Sequence, residues 1–446
     1  MLPARTNRRT VVTAAVSVFL VFLLGSQLHL LDPWAANPHA YLTTSFTEGS
    51  AHLPCHGLPG ANDTLVILKT GAGEIEDKLP IHLETTFRCY PNFIIFSDWA
   101  ETFRGNVVFD ALEDVGSDLK ETHEDFDLYR RLQRGGRAAL APSELSGQLS
   151  RPPGAGGKPS NAGWNLDKYK FLPMVRRTLE EHPAKKWYLF IETDTYILWN
   201  TLLAYISALD ATKPYYVGGQ TWIGDVLFAH GGTGFIVSRP ALEMVVKEYI
   251  EHKSEWETFT KNHWAGDCVL GKAFKDSGVP LTEAWPIWQG DDIGNMNYDR
   301  VDNGVRRQWC APTAAYHHIS PPVVRDLWEF EQQWTSKKSK DEAQFLRHRD
   351  VFGEYILPRT LQERTDWDNH SDKELSASSS PDDCRALCEQ DKSCLQWAVS
   401  PDSKCLSTSR PNLGESSEGT HSGWISKRMW EFYDTGPHCD GAQWIV

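Results

Sequence analysis

The sequence has no dense stripe of lysine and arginine: 45 basic residues stand against 59 acidic ones, for a formal charge of -14. That balance speaks against a nucleic-acid partner. Long apolar runs are scarce as well. The one of membrane-spanning length covers residues 11–31, broken only by small or polar residues such as Thr13, Ser17, Ser26, Gln27 and His29. What the chain does not lack is core material: 41% hydrophobic and 11% aromatic residues exclude wholesale disorder. Its 446 residues suffice for one large α/β domain and a smaller module. Eighteen tryptophans is a high count; most serve packing, but an exposed indole also stacks well on a sugar ring.

Arg5, Arg8 and Arg9 precede the apolar run, whose rise of about 1.5 Å per residue spans the roughly 30 Å core of a bilayer. Arginines stay on the cytosolic side. The expectation is therefore a type II, single-pass protein: cytosolic tail 1–10, signal anchor 11–31, stem 32–60, and the bulk of the chain in the lumen of the Golgi or endoplasmic reticulum. A cleaved signal peptide ending near Ala35-Ala36 is the competing reading. Nine cysteines suit an oxidising lumen and leave one thiol over. Cys384, Cys388, Cys394, Cys405 and Cys439 lie in the last fifth and mark a separate module at 384–446. The sequons at Asn62 and Asn369 suit the same compartment.

From Thr64 the pattern turns to strand. Leu65-Val66-Ile67-Leu68 runs into Lys69-Thr70-Gly71, and Phe93-Ile94-Ile95-Phe96 runs into Ser97-Asp98, with a helix expected between them from Pro80. Strand, crossover helix, strand is the unit of a parallel sheet. Cys55 and Cys89 bracket it and are candidates to pair; Cys268, Cys310, Cys384, Cys388, Cys394 and Cys405 are the other disulfide candidates, and Cys439 is left without a role. Residues 111–133 read as helical and 134–163 as a flexible insertion. A helical stripe follows at Tyr169, Leu172, Val175 and Leu179, with Pro173 expected to kink it. Ser371 to Asp383 reads as the linker to the cysteine module, with the domain boundary at 365.

The centre of the chain is the stretch Trp187-Tyr188-Leu189-Phe190-Ile191, an apolar run that fits a strand buried on both faces and stops at Glu192-Thr193-Asp194. Acids at the carboxyl end of such a strand sit where open α/β sheets hold ligands. An acid-x-acid tripeptide suits a hard divalent ion such as Mn²⁺, although alone it reads equally as two solvated acids. Gly231-Gly232-Thr233-Gly234 allows close backbone approach or φ > 0. Asp267, in Ala265-Gly266-Asp267-Cys268, is either a helix cap or a general base. His317 and His318 follow a short strand, and imidazole would complete a metal site begun by Asp194.

Phe-Ile-Glu-Thr-Asp-Thr-Tyr, then Gly-Gly-x-Gly-aromatic, then Gly-Asp-Cys-x-x-Gly, then aromatic-His-His resembles, in that order, glycosyltransferase family 31 in the branch around fringe and core 1 β1,3-galactosyltransferase. Cys384-x₃-Cys388-x₅-Cys394 followed by Cys405 resembles the PAN/apple-like module of fungal members. The resemblance implies a GT-A fold over 61–365 and an inverting reaction with a UDP-sugar and Mn²⁺. It places the metal on Asp194 and His317, with His318 as fallback, and the catalytic base on Asp267. Glu192 and Thr193 depart from the family's usual aspartates. Thr70, Gly71, Ser97, Asp98, Glu192, Thr193, Gly231 and Gly232 are the expected nucleotide-sugar contacts, and Trp222 and Trp288 the expected acceptor contacts. The implied activity is transfer of galactose, N-acetylglucosamine or glucose to a glycan or glycoprotein hydroxyl in a β1,3 linkage. The alternative is an inactive, glycan-binding relative working through its C-terminal module.

Overall fold

A computed structural model describes residues 53–145, 162–302, 306–338, 345–441 and 444. The expected tail and anchor, the stem up to residue 52, and residues 146–161 of the expected insertion lie outside the described residues. No helix among the described residues is long and apolar enough to cross a membrane.

The apolar runs read from the sequence become the middle of an eight-stranded sheet. Its strands are β1 (Thr64–Lys69), β2 (Phe93–Ser97), β3 (Glu101–Phe103), β4 (Asn106–Asp110), β5 (Trp187–Glu192), β6 (Tyr216–Gly218), β7 (Phe235–Ser238) and β8 (Leu281–Glu283), in the order β8-β6-β7-β5-β1-β2-β4-β3. β1 pairs in parallel with both β2 and β5, while β7 runs antiparallel to β5 and β6. Leu65, Val66, Ile67 and Leu68 are wholly buried because helices cover both faces of the sheet. This mixed, mostly parallel sheet with flanking helices fits the GT-A fold.

Helix α1 (Ile75–Glu84) connects β1 to β2 and begins five residues earlier than expected, with Pro80 inside it. Helix α2 (Phe171–Glu181) precedes β5. Pro173 lies in its first turn, where the missing N–H would have had no intrahelical partner, so the expected kink has no cause. The segment expected as one helix over 111–133 is broken into Ser117–Thr122 and Asp127–Gly135, with His123 extended between them. The described start of the expected flexible insertion is ordered by Arg131, which binds both carboxylate oxygens of Glu144.

The C-terminal region is a five-stranded antiparallel sheet of β9 (Arg364–Asp368), β10 (Lys373–Ser376), β11 (Gln396–Val399), β12 (Cys405–Thr408) and β13 (Glu415–Trp424), ordered β9-β13-β11-β12-β10. The helix Pro381–Gln390 is fastened to it by Cys384–Cys405 and by Cys388–Cys394. The expected linker is therefore a correction: residues 366–383 contribute to two strands, and Ser380 caps the helix by accepting from the Asp383 N–H at 3.2 Å. Small polar residues there serve turn and cap, not flexibility.

The expectation of a separate module is corrected too. Leu413, Trp424 and Met429 belong to the same apolar core as Trp309, Phe352 and Tyr355. The helix Ser426–Thr435 sets Phe432 5.6 Å from Trp309 and 5.4 Å from Phe352, centroid to centroid. Cys439 pairs with Cys310 across 129 residues, and Cys55 pairs with Cys89 as expected. Cys268 makes no disulfide; it is buried, and burial first and the neighbouring Asp267 second push its thiol up to about 12. Asn369 is fully buried, its amide donating to the Trp397 and Gly423 carbonyls, so this sequon is closed to a glycan, whereas Asn62 is exposed.

Candidate active site

The carboxyl ends of β1, β2 and β5 form one rim, because parallel strands end at the same edge of the sheet. Thr70 and Gly71 follow β1, Asp98 follows β2, and Glu192 ends β5. With Lys69, Glu74, Asp167, Lys170 and Trp164 they line a cavity of about 170 Å³. Asp98 is held by the Ala72 N–H at 2.7 Å and the Ser97 hydroxyl at 3.2 Å. Ser97 itself is fully buried behind Asp98, a supporting residue and not a lining one.

Two lysines, Lys69 and Lys170, stand among five acids, Glu74, Asp98, Glu144, Asp167 and Glu192, that line the same cavity. Lys69 binds Asp167 and lies 3.1 Å from Glu192 Oε1; Lys170 donates to the Thr70 carbonyl at 2.9 Å and lies 3.4 Å from Asp98. Burial alone would lower the Lys69 pKa, but the Asp167 and Glu192 carboxylates overcome it and hold the ammonium above its ordinary value. Desolvation drives the Glu192 carboxyl up to about 7, with Lys69 opposing and Asp167 and Asp194 adding to the shift. Both ammonium groups are thus held in ion pairs with carboxylates of the cavity wall, which fixes Asp98, Asp167 and Glu192 in place.

The turn after β5 is equally fixed. His82, on α1, is pushed down to about 4 by burial despite its hydrogen bond to the Thr193 carbonyl. It is neutral at pH 7, so its Nε2–H donates to that carbonyl at 2.8 Å while Nδ1 accepts from Thr86 at 3.0 Å. Thr193 is buried and turns its hydroxyl to Glu74 at 3.4 Å. The carboxylate that leaves the turn for the open side is Asp194, which is followed by Thr195 donating to the Gly232 carbonyl at 2.8 Å.

Asp194, His317 and His318 offer three ligand atoms lying within 4.8 Å of one another. His317 is buried, and burial first, then the His318 and His230 imidazoles, hold it well below its ordinary pKa. One carboxylate oxygen and two imidazole nitrogens suit a divalent ion such as Mn²⁺ or Zn²⁺, so the donor set fits the metal the resemblance implies.

Gly231 and Gly232 join this triad to Asp267. Asp267 lies in the first turn of helix α3 (Gly266–Asp276), whose cap position is Ala265; the aspartate is not itself the cap. The helix dipole favours a carboxylate there. Its Oδ2 accepts from the Gly231 N–H and its Oδ1 from the Cys268 N–H, each at 2.9 Å. A Cβ at Gly231 would lie 3.0 Å from Glu192 Oε1 and 3.5 Å from the Asp267 Cβ, and one at Gly232 would collide with the His317 ring. Only glycine lets one turn touch all three. Gly232→Ala is accordingly expected to displace His317, to weaken metal-dependent nucleotide binding by about 10- to 10²-fold, the usual scale for disturbing the support of a metal ligand, and to lower the melting temperature, because the methyl enters a buried turn; calorimetry with UDP and Mn²⁺ and a melting curve read the two.

Sequence reasoning missed Lys69, Lys170 and Asp167. The signal available was Lys69 itself, a charged residue ending an otherwise apolar strand. It misplaced Trp288, which is fully buried and bridged to Ala315, so an acceptor cannot reach it. Trp222 is 60% exposed, in the hairpin Gln220–Ile223 and Val226–Ala229.

The mixed sheet with its flanking helices fits the GT-A fold of glycosyltransferases. Residues 170–287 match the Fringe-like family model, a span that runs from Lys170 through β5 and Asp267. No curated protein matches the chain.

Proposed function

We propose that this protein is an inverting hexosyltransferase that moves galactose, N-acetylglucosamine or glucose from a UDP-sugar to a glycan hydroxyl, forming a β1,3 linkage. The observation that carries the reading is the Gly231-Gly232 turn, which holds Asp267 on one side and packs on His317 on the other. A base and a metal-ligand set are thereby fixed side by side at the rim of a cavity lined by lysine–carboxylate pairs.

In this mechanism Asp267 accepts the proton of the acceptor hydroxyl as that oxygen bonds to the sugar C1 from the face opposite UDP. The bond from C1 to the diphosphate oxygen breaks, and its electron pair leaves with UDP. Asp194, His317 and His318 would hold a divalent cation, which supplies neutralisation of the departing diphosphate. Lys69 and Lys170 hold Asp167, Glu192 and Asp98 in position beside the donor, and the buried His82 keeps the Thr193–Asp194 turn in place. Thr70, Gly71, Asp98 and Glu192 face the nucleotide-sugar, while Ser97 and Thr193 act behind them. Trp222 remains a candidate acceptor contact.

We place the chain in the Golgi membrane as a type II protein anchored by residues 11–31. The four disulfides among the described residues support an oxidising lumen. The C-terminal region is read as PAN/apple-like on its cysteine spacing. Incubating the full chain with UDP-galactose, UDP-N-acetylglucosamine or UDP-glucose, Mn²⁺ and a mixed glycan pool tests the activity. One donor should release UDP faster when acceptor is present. Release with none of them would favour a non-catalytic glycan binder, and sugar release without any donor would favour a hydrolase.

A further inference from the structure

Beside the cavity stands an aromatic stack that the proposed reaction has not used. Trp164, in the helix Ala162–Asp167, and Trp264 lie with ring centroids 6.1 Å apart and planes 9° from parallel. The series continues inward: Trp264 to His263 at 6.3 Å and 9°, then His263 to Phe259 at 5.6 Å and 21°. Phe259 and His263 are partly buried, whereas Trp164 is 41% and Trp264 55% exposed. Two indoles left open to water at the end of an ordered series of rings are a prepared apolar surface.

The stack is built on fixed supports. His263 Nδ1 lies 3.0 Å from both the N–H and the carbonyl oxygen of Ala265, which sets the ring's orientation. The Lys168 ammonium donates to the Lys261 carbonyl at 3.2 Å and pairs with Asp125 at 2.9 Å. Gly266 packs so closely on Lys168 that a Cβ there would lie 2.6 Å from the Lys168 Cα. The chain segments bearing the two tryptophans are thus held against each other.

Its position is what gives the surface a use. Trp164 also lines the cavity with Lys69, Asp167 and Glu192, and Trp264 precedes Asp267 by three residues. We propose that the Trp164–Trp264 pair is the acceptor platform: one pyranose ring of the glycan lies with its C–H face on the indoles and presents its hydroxyl to Asp267. A pyranose matches such a surface because its apolar face packs on an indole while its rim hydroxyls stay hydrated or reach polar groups beside it. This deepens the transferase reading and rests on it. It also moves the acceptor contact from the buried Trp288 to a pair that sequence position alone did not suggest.

The test uses the full chain, purified in a detergent without a sugar headgroup. Methyl glycosides of galactose, N-acetylgalactosamine, N-acetylglucosamine, glucose, mannose and fucose are probed by saturation-transfer difference NMR, and UDP with Mn²⁺ by calorimetry. At least one glycoside should bind through the protons of its apolar face. Trp264→Ala and Trp164→Ala should each weaken it at least about tenfold, and Trp264→Phe should retain most of the binding. UDP binding should stay unchanged in the two Trp264 variants. Glycoside binding undiminished in both alanine variants, or no glycoside binding beside intact UDP binding, overturns the platform and leaves the transferase reading standing. Glycoside binding that needs the tryptophans in a protein that binds no UDP supports the platform and overturns the transferase reading instead.

Discussion

Asp267→Asn should lower sugar transfer by about 10²- to 10⁴-fold, the usual contribution of a positioned general base, while UDP binding with Mn²⁺ stays within about twofold of the parent under the same uniform-binding logic. The carboxamide keeps the side chain's shape but cannot take up the acceptor's proton. The substitution is not silent for the fold. Both carboxylate oxygens accept a backbone N–H, from Gly231 and from Cys268, and asparagine has only one oxygen to offer. Its amino group must face one of those donors, at a cost of about 1–3 kcal/mol. Melting curves should therefore show a modest loss, and transfer rates measured well below the transition a much larger one. A variant that loses stability but keeps transfer would make Asp267 a structural residue of the α3 start.

Truncation after residue 365 should give a protein that does not fold. A tethered accessory module would be dispensable; this one supplies part of the transferase core. Phe432 and Tyr433 pack on Trp309 and Phe352, and the Gly414 N–H donates to the Gly294 carbonyl at 2.8 Å. Losing the partners of two buried aromatics costs about 3–5 kcal/mol for each such truncation, and breaking Cys310–Cys439 costs about 2–5 kcal/mol more. A domain's whole stability is only about 5–15 kcal/mol. The truncated chain should be recovered aggregated or binding a hydrophobic dye, whereas the Cys310→Ser, Cys439→Ser pair in the full chain should fold with a lowered melting temperature. A soluble truncation with the parent's UDP affinity would show the region to be an appendage after all.

The central strands were legible because a parallel strand covered on both faces must be apolar throughout, as residues 65–68 and 187–191 are. The acids after β5, the glycine turn, Asp267 and the histidine pair were legible as motifs, because a ligand rim asks for particular residue types at strand ends. The partners of Lys69 were not. Its pairing with Asp167 and Glu192 joins residues about a hundred positions apart, which only the packed sheet and the helix Ala162–Asp167 bring together. Trp288 was misread because a position shortly after Asp267 says nothing of which way the ring turns, and here it turns into the core. The Ser-rich stretch before Cys384 was misread for a different reason. Serine serves linkers, turns and helix caps alike, and Ser380 does the last of these. The Cys310–Cys439 bond, spanning 129 residues, carries no local signal at all, so the fusion of the C-terminal region with the transferase core was hidden.

The most direct test of the account is titration of the full chain with UDP by calorimetry, in Mn²⁺ and again in chelator, beside Asp194→Ala. A single saturable site that weakens at least about 10²-fold both on chelation and in the variant, the scale expected when a metal and its charge are removed from a phosphate site, is the predicted result. UDP binding of equal strength with Mn²⁺, with chelator and in Asp194→Ala, or no UDP binding in any of them, would contradict a metal-dependent nucleotide-sugar transferase.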